Sequence, residues 1–170
     1  MKRIRRQRGF TLVEIMIVVA IIALLAAIAI PNVLRGRVTA NETAAIGNVR
    51  ALISSLEMYR SVYQAYPDLV ANWQADLYTG ITPAYGPPPF NVPMTGAATS
   101  VVQGFRYLYT PVGAAPVQSY SVRAVPDTTS TGTRSIFGSG SGQLAHCVGT
   151  SATTTIPTST IDQPPVNPCP

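Results

Sequence analysis

The most prominent pattern along the chain is an uninterrupted apolar run near its beginning. Between Phe10 and Ile30 there are 21 residues, and Glu14 is the only charged one among them. A helix of that length, with a rise of about 1.5 Å per residue, is roughly 31 Å long and matches the hydrocarbon core of a bilayer. The run therefore predicts a membrane-spanning helix.

A helical pattern resumes directly after Pro31, so this proline is expected to kink the helix rather than end it. Apolar residues then recur at spacings of 7, 4, 3, 4, 3 and 4, which is typical of one face of an amphipathic helix. They are Val38, Ala45, Val49, Leu52, Leu56, Tyr59 and Tyr63. Charged residues opposite them predict a solvated face: Glu42, Arg50, Glu57 and Arg60. We expect one long helix over residues 10–64, ended by Tyr66-Pro67 because the residue before proline avoids helical backbone.

Residues 65–103 show no long periodic pattern and are expected to connect the helix to the rest of the chain. A short helix is predicted over residues 68–77, with Gly80 stopping it. Five prolines lie between Pro83 and Pro93. They favour extended, partly polyproline II backbone, which we interpret as a rigid surface connector rather than a ligand for an aromatic groove.

Strand patterns follow from residue 104, in four short segments over residues 105–110, 119–125, 134–137 and 143–147. The second segment alternates strictly, with Tyr120, Val122 and Ala124 on one side. These segments predict an antiparallel meander of three or four strands over residues 104–147, and one face of such a sheet needs cover. The stripe of the long helix can supply it, so the predicted fold class is α+β.

Positive charge is concentrated at the amino terminus. The formal net charge is +5, but five of the 12 Lys and Arg residues lie in the first eight positions, which leaves seven basic against seven acidic side chains. The basic balance therefore gives no reason to expect a nucleic-acid partner. By the positive-inside rule the amino terminus stays in the cytoplasm and everything after Ile30 is exported. A twin-arginine or an ordinary cleaved signal is disfavoured because the apolar run is too long.

Cys147 and Cys169 are the only two cysteines. In an oxidising compartment such a pair indicates a disulfide. A metal site that includes the neighbouring His146 is the competing interpretation, although a zinc site would need further ligands.

The sequence offers no catalytic constellation, so no enzyme, cofactor or metal is predicted. His146 is the single histidine. The glycine-rich segment 138–142 lacks the following lysine and helix of a phosphate-binding loop. Asp127 and Asp162 are too sparse to match a calcium-binding signature.

The surroundings of Glu14 resemble those in type IV pilins and their relatives, the type II secretion pseudopilins. The resemblance covers about the first 35 residues. It rests on a basic leader ending in Gly9, then Phe10-Thr11-Leu12-Val13-Glu14-Ile15-Met16-Ile17-Val18-Val19, and on Ala29-Ile30-Pro31. It implies that a prepilin peptidase removes leader 1–9 by cutting between Gly9 and Phe10, and methylates the new amino terminus at Phe10.

The same resemblance supplies a role for Glu14, a costly residue in a membrane helix with no evident partner in its own chain. In the family this glutamate pairs with the terminal amine of a neighbouring subunit. The resemblance also implies a pilin-like fold and a disulfide-bounded loop over residues 148–170. The implied partners are other copies of the chain, the prepilin peptidase, the assembly platform with minor pilins, and the inner membrane before assembly.

The leading hypothesis is therefore a structural subunit of a type IV pilus, anchored in the inner membrane as a precursor and later part of a cell-surface or periplasmic filament. A type II secretion pseudopilin or a minor pilin is the alternative. Pseudopilins often bind calcium after the helix, and no calcium signature is evident here. A non-polymerising, membrane-anchored binding domain is the alternative from another class.

Overall fold

A computed structural model of the chain describes residues 9–68, 70–96, 100–149 and 169. The chain divides into two compact units, Met1–Gly36 and Arg37–Pro170. Helix α1, Leu12–Tyr63, begins in the first and ends in the second. The second unit, the head, also contains 3-10 turns at Val70–Asn72 and Pro88–Phe90 and a short helix α2, Trp73–Tyr78.

The head contains a five-stranded antiparallel sheet in which each strand pairs with its neighbour in the sequence. The strands are β1 Val101–Val102, β2 Phe105–Val112, β3 Ser119–Pro126, β4 Arg134–Ser139 and β5 Leu144–Val148. The predicted α+β class and all four predicted strands are confirmed. The fifth strand, β1, was not predicted. Two residues are too few for a periodic pattern, and β1 joins β2 through a tight turn in which Gln103 and Gly104 both have positive φ.

The core of the head lies between α1 and one face of the sheet. Ala45, Val49, Leu52 and Leu56 are fully buried on the helix, which confirms the central part of the predicted stripe. Tyr120, Val122 and Ala124 lie in the same core cluster, as the alternation in β3 predicts: the cluster also contains Trp73, Leu77, Phe90, Met94, Phe105, Tyr107, Tyr109 and Ile136. The last residue of the stripe, Tyr63, is not buried: it is 53% exposed.

Gly138 on β4 marks the closest approach of helix and sheet. A Cβ at this position would lie 2.7 Å from Ile53 Cδ1 and 2.8 Å from Val49 Cγ1. A larger residue here would force the Ile53 or Val49 side chain to move, and glycine avoids that contact.

The opposite face of the sheet is also partly covered. Phe137, Ala145 and Cys147 form a second buried cluster against which Cys169 packs. Ser121 and Arg123, which alternate with the core residues of β3, are only 6% and 7% exposed. The alternation predicted that one face of the sheet is covered, whereas both faces carry buried residues.

Glu42 corrects the predicted solvated face of the helix. Its side chain is buried, and its Oε1 accepts hydrogen bonds from the Thr133 N–H and hydroxyl, both at 2.8 Å. Its Oε2 accepts two more from the guanidinium of Arg134, at 2.9 and 2.7 Å. Glu42 lies four residues after Val38 and three before Ala45, so it fills the gap of seven in the apolar stripe. Four bonds to one carboxylate tie α1 to the start of β4.

The hydrogen bonds of Glu42 outweigh the effect of its burial. Burial alone would raise the pKa of this carboxyl, but the bonds from Thr133 and the charge of Arg134 hold the pKa below its ordinary value. A depressed pKa in the folded state contributes stability at neutral pH, which is lost as the pH falls below the ordinary value of 4.5.

Glu42→Gln is expected to lower the free energy of unfolding of the head by about 2 kcal/mol at pH 7, because buried polar groups lose charge-assisted bonds. Near-UV circular dichroism of the full chain in detergent micelles, followed through thermal unfolding, measures the loss. The difference from wild type should shrink as the pH falls below about 4.5, because Glu42 is then protonated first in the unfolded state.

Asp127→Asn is the matched control, because Asp127 pairs with Arg106 at 2.6 Å but both side chains are about a third or more exposed. Exposed pairs contribute about 0–1 kcal/mol. Equal losses in the two variants would contradict an anchoring role for Glu42.

Candidate assembly site

The amino-terminal end of α1 is closed by a reciprocal pair of hydrogen bonds. Glu14 Oε2 accepts from the Thr11 N–H at 2.8 Å and from the Thr11 hydroxyl at 2.9 Å, while the Glu14 N–H donates to the Thr11 hydroxyl oxygen at 3.2 Å. Thr11 precedes the first helical residue and Glu14 is the third within the helix. This arrangement is a capping box, which satisfies backbone donors that the helix itself leaves unpaired.

The interpretation that Glu14 lacks a partner in its own chain is therefore wrong. The signal was present in the sequence, because Thr-x-x-Glu before an apolar run is the signature of a capping box. The bonds to Thr11 do not saturate the group, since an ionised carboxylate has about four acceptor positions. Glu14 can cap its own helix and still accept a bond from a second chain.

The predicted cleavage position lies just outside the helix. Phe10 is 84% exposed. A Cβ added at Gly9 would meet no atom within 4 Å. The fold of this chain therefore places no steric demand for glycine at position 9, and both residues are accessible to another protein.

The first unit has a long apolar surface that is exposed among the described residues. An 18-residue window of α1 has a mean hydropathy of 3.0, and none of it is buried. By length and composition, this helix can cross a membrane. Pro31 lies inside α1, where it cannot donate a helical hydrogen bond. The side-chain amide of the next residue, Asn32, donates to the Ile28 carbonyl at 3.1 Å. The kink at Pro31 stays a prediction.

Cys147 and Cys169 form a disulfide, with their Cα atoms 4.9 Å apart. Their sulfurs are bonded to each other, so the competing metal site is not formed. The Cys169 N–H also donates to the Val148 carbonyl at 3.1 Å, which fastens this residue to the end of β5. The rest of the predicted loop, residues 150–168 and 170, lies outside the described part of the chain.

Comparison with known proteins places these features in a family. The model of the prokaryotic N-terminal methylation motif matches residues 4–30. Type II secretion system core protein G of Dickeya chrysanthemi is 36% identical over 130 residues, covering 73% of this chain and 83% of the relative. The Vibrio cholerae protein of the same name is 40% identical over 67 residues, 39% of this chain and 46% of the relative.

Type IV pilins match over a shorter stretch. The major pilin protein PilA of Myxococcus xanthus is 46% identical over 63 residues, 37% of this chain and 29% of the relative. The wide pilus major component PilA4 of Thermus thermophilus is 44% identical over 62 residues, 36% of this chain and 47% of the relative. No solved structure matches the chain significantly. With its methylation motif, its apolar amino-terminal helix and a relative matched over most of its length, the chain belongs to the family of type IV pilins and type II secretion pseudopilins.

Proposed function

We propose that this chain is a pseudopilin of a type II secretion system, acting as a structural filament subunit and not as an enzyme. The observation that carries the proposal is the length of the match to the Dickeya chrysanthemi core protein G. A match over 130 residues cannot be confined to the leader and α1, which end at Tyr63, so it extends into the head. The matches to type IV pilins span only 62 or 63 residues, which the leader and α1 alone could supply.

This proposal reverses the preference of the sequence analysis, which favoured a type IV pilus. That preference rested partly on the lack of a calcium signature, which says less about the kind of subunit than a match that reaches into the head. A type IV pilin is the second candidate, favoured by the higher identity, 46%, to the Myxococcus xanthus pilin.

The proposed assembly pairs Glu14 with the amino terminus that processing creates at Phe10. The peptidase removes residues 1–9 between Gly9 and Phe10, and the methylated amine of Phe10 is then four residues from Glu14 in the same chain. In the filament, the carboxylate of Glu14 in one subunit accepts a hydrogen bond from the methylated amine of a neighbouring subunit. Two opposite charges in an apolar surrounding contribute more to register than to net stability.

The proposed location follows from the same segment. The precursor lies in the inner membrane through the first half of α1, with its basic leader in the cytoplasm and its head exported. Apolar helices of many copies then leave the bilayer and pack against one another in the filament. The peptidase, an assembly platform and minor pseudopilins complete the set of proposed partners.

Deleting the gene in its own host separates the two candidates. For a pseudopilin we expect that secreted enzymes accumulate in the periplasm while surface pili persist, and that the plasmid-borne gene restores secretion. Loss of surface pili with normal secretion would instead identify a type IV pilin. Activity assays on culture medium and periplasm, together with electron microscopy of the cells, provide both readouts.

A further inference from the structure

A cavity of about 270 Å³ opens in the head beside the carboxyl-terminal end of α1. Three tyrosines and two aspartates line it, together with small and apolar residues. The lining comprises Tyr59, Tyr63, Tyr66, Asp68 and Asp76, with Ala65, Ala115, Pro116 and Val117. We call this cavity the Tyr–Asp cleft.

The Tyr–Asp cleft concentrates negative charge. Burial raises the pKa of Asp76, and the nearby charge of Asp68 raises it further. Burial and the charge of Asp76 together raise the pKa of Tyr59 to about 12. Three ion pairs occur within the described ranges, Glu57–Arg60, Arg106–Asp127 and Glu42–Arg134, and none of them uses Asp68 or Asp76. The described lining contains no Lys or Arg. Arg60 lies beside it, 5.2 Å from the centroid of the Tyr66 ring, but its ion pair is with Glu57 and not with Asp68 or Asp76.

The composition of the cleft suits an organic cation better than a metal ion. Guanidinium and ammonium groups are attracted both to aromatic faces and to carboxylates. Calcium would need six to eight oxygen ligands, and in the described part of the chain no three His, Cys, Asp or Glu residues are grouped to hold a metal. The aromatic wall is preorganised: the rings of Tyr59 and Tyr63 stack with centroids 4.5 Å apart, and Tyr85 meets Tyr59 edge-on at 5.8 Å.

Arg50 is the complementary group. It lies exposed on α1, and within the described residues it makes no ion pair or side-chain hydrogen bond. Arg37 is also exposed, but it follows the apolar run closely, where basic side chains sit at the membrane surface. Arg50 is far enough from the run to face another head.

The helix geometry prevents Arg50 from reaching the cleft of its own chain. Tyr59 comes nine residues later, which is two and a half turns and about 13 Å along the axis. The two side chains therefore leave α1 on opposite sides. Because the Tyr–Asp cleft and Arg50 lie on opposite sides of α1, a contact between them joins two copies head to tail. Such a contact can repeat from copy to copy and build a filament.

We propose that the Tyr–Asp cleft of one subunit binds the guanidinium of Arg50 from the adjacent subunit. The inference rests on the proposed filament, and it adds a contact between heads to the pairing of Glu14 with the amino terminus. Burial of the Arg50 guanidinium against tyrosine rings, with Asp76 accepting its hydrogen bonds, supplies both affinity and orientation.

A double-mutant cycle tests the contact, with the yield of filaments sheared from cells as the measurement. Asp76→Asn and Arg50→Gln are each expected to lower the yield at least threefold, and the double variant should be no worse than the poorer single variant. Arg50→Lys keeps the charge and should retain more filaments than Arg50→Gln. Wild-type yields in both single variants, or losses that multiply in the double variant, would overturn the proposal.

Two controls distinguish a loss of this contact from a loss of folding, and a third outcome tests whether the chain forms filaments at all. Asp127→Asn removes an acid that is paired within its own chain and should leave the yield unchanged. Asp76→Asn should unfold at the wild-type temperature or above it, because burial disfavours the charged carboxyl; a lower temperature would indicate a structural role and contradict us. A wild-type chain that forms no filaments would refute the proposed function, whereas wild-type filaments with unaffected variants refute only the cleft.

Discussion

Glu14→Gln is expected to reduce the filament yield at least tenfold while insertion into the membrane and cleavage after Gly9 continue. Glutamine can still accept hydrogen bonds from Thr11, so the capping box at the start of α1 is retained. The substitution removes only the negative charge that the methylated amine of a neighbouring subunit would meet. The expected loss reflects the register between subunits more than their net cohesion, because desolvation offsets much of the attraction between two charges in an apolar surrounding.

Thr11→Val provides the matched control for this variant. It removes the hydroxyl of the capping box but keeps the Thr11 N–H bond to Glu14 and the charge of Glu14. We expect near-normal filaments from Thr11→Val. Equal losses from the two variants would show that helix capping, and not charge pairing between subunits, is what assembly requires. Filaments are quantified by shearing and immunoblotting, and processing by the intact mass of the membrane-bound chain.

Gly9→Val is expected to block processing, so that at least ten times less mature chain is recovered and nearly all protein still begins at Met1. A Cβ at position 9 would meet no atom of the described residues within 4 Å, so we expect the block to act through the peptidase and not through misfolding. Amino-terminal sequencing and intact mass distinguish the unprocessed chain from one that begins at methylated Phe10.

Gly36→Ala is the control for Gly9→Val, since Gly36 also has open space at its Cβ position but lies inside α1. Normal processing is expected in that variant. A mature amino terminus at Phe10 in Gly9→Val would contradict the assigned cleavage site, and would reopen the interpretation of the chain as a simple membrane-anchored domain.

Local patterns in the sequence predicted most of the elements. The long helix was expected to end at Gln64 and ends at Tyr63, where Gln64 turns to a positive φ. The short helix was expected at residues 68–77 and lies at Trp73–Tyr78, after a 3-10 turn. Within the predicted polyproline segment, Pro88–Phe90 forms another such turn. Local reasoning therefore placed both helices within about five residues, because they depend on neighbours in the sequence, whereas the turn at Pro88–Phe90 departs from the extended backbone predicted there.

Most features that the sequence analysis missed depend on residues far apart in the chain. Glu42 was assigned to solvent because it is charged, and its burial depends on Thr133 and Arg134, 91 and 92 residues away. The Tyr–Asp cleft brings α1 together with the segment before β3, a contact that no periodicity encodes. The capping box of Thr11 and Glu14 was the exception, because its signature is local and was simply overlooked.

The separation in sequence between Glu42 and its hydrogen-bond partners, Thr133 and Arg134, also sets an order of events during export. Translocation with the amino terminus held in the membrane delivers α1 first, and the residues that clamp it arrive about 90 positions later. Every strand of the sheet pairs with its neighbour in the sequence, so the hairpins can form as they emerge. The helix can be locked against the sheet only after β4 has been released. Until then β2 and β3 can pack against α1 only without the four hydrogen bonds that Glu42 accepts from Thr133 and Arg134.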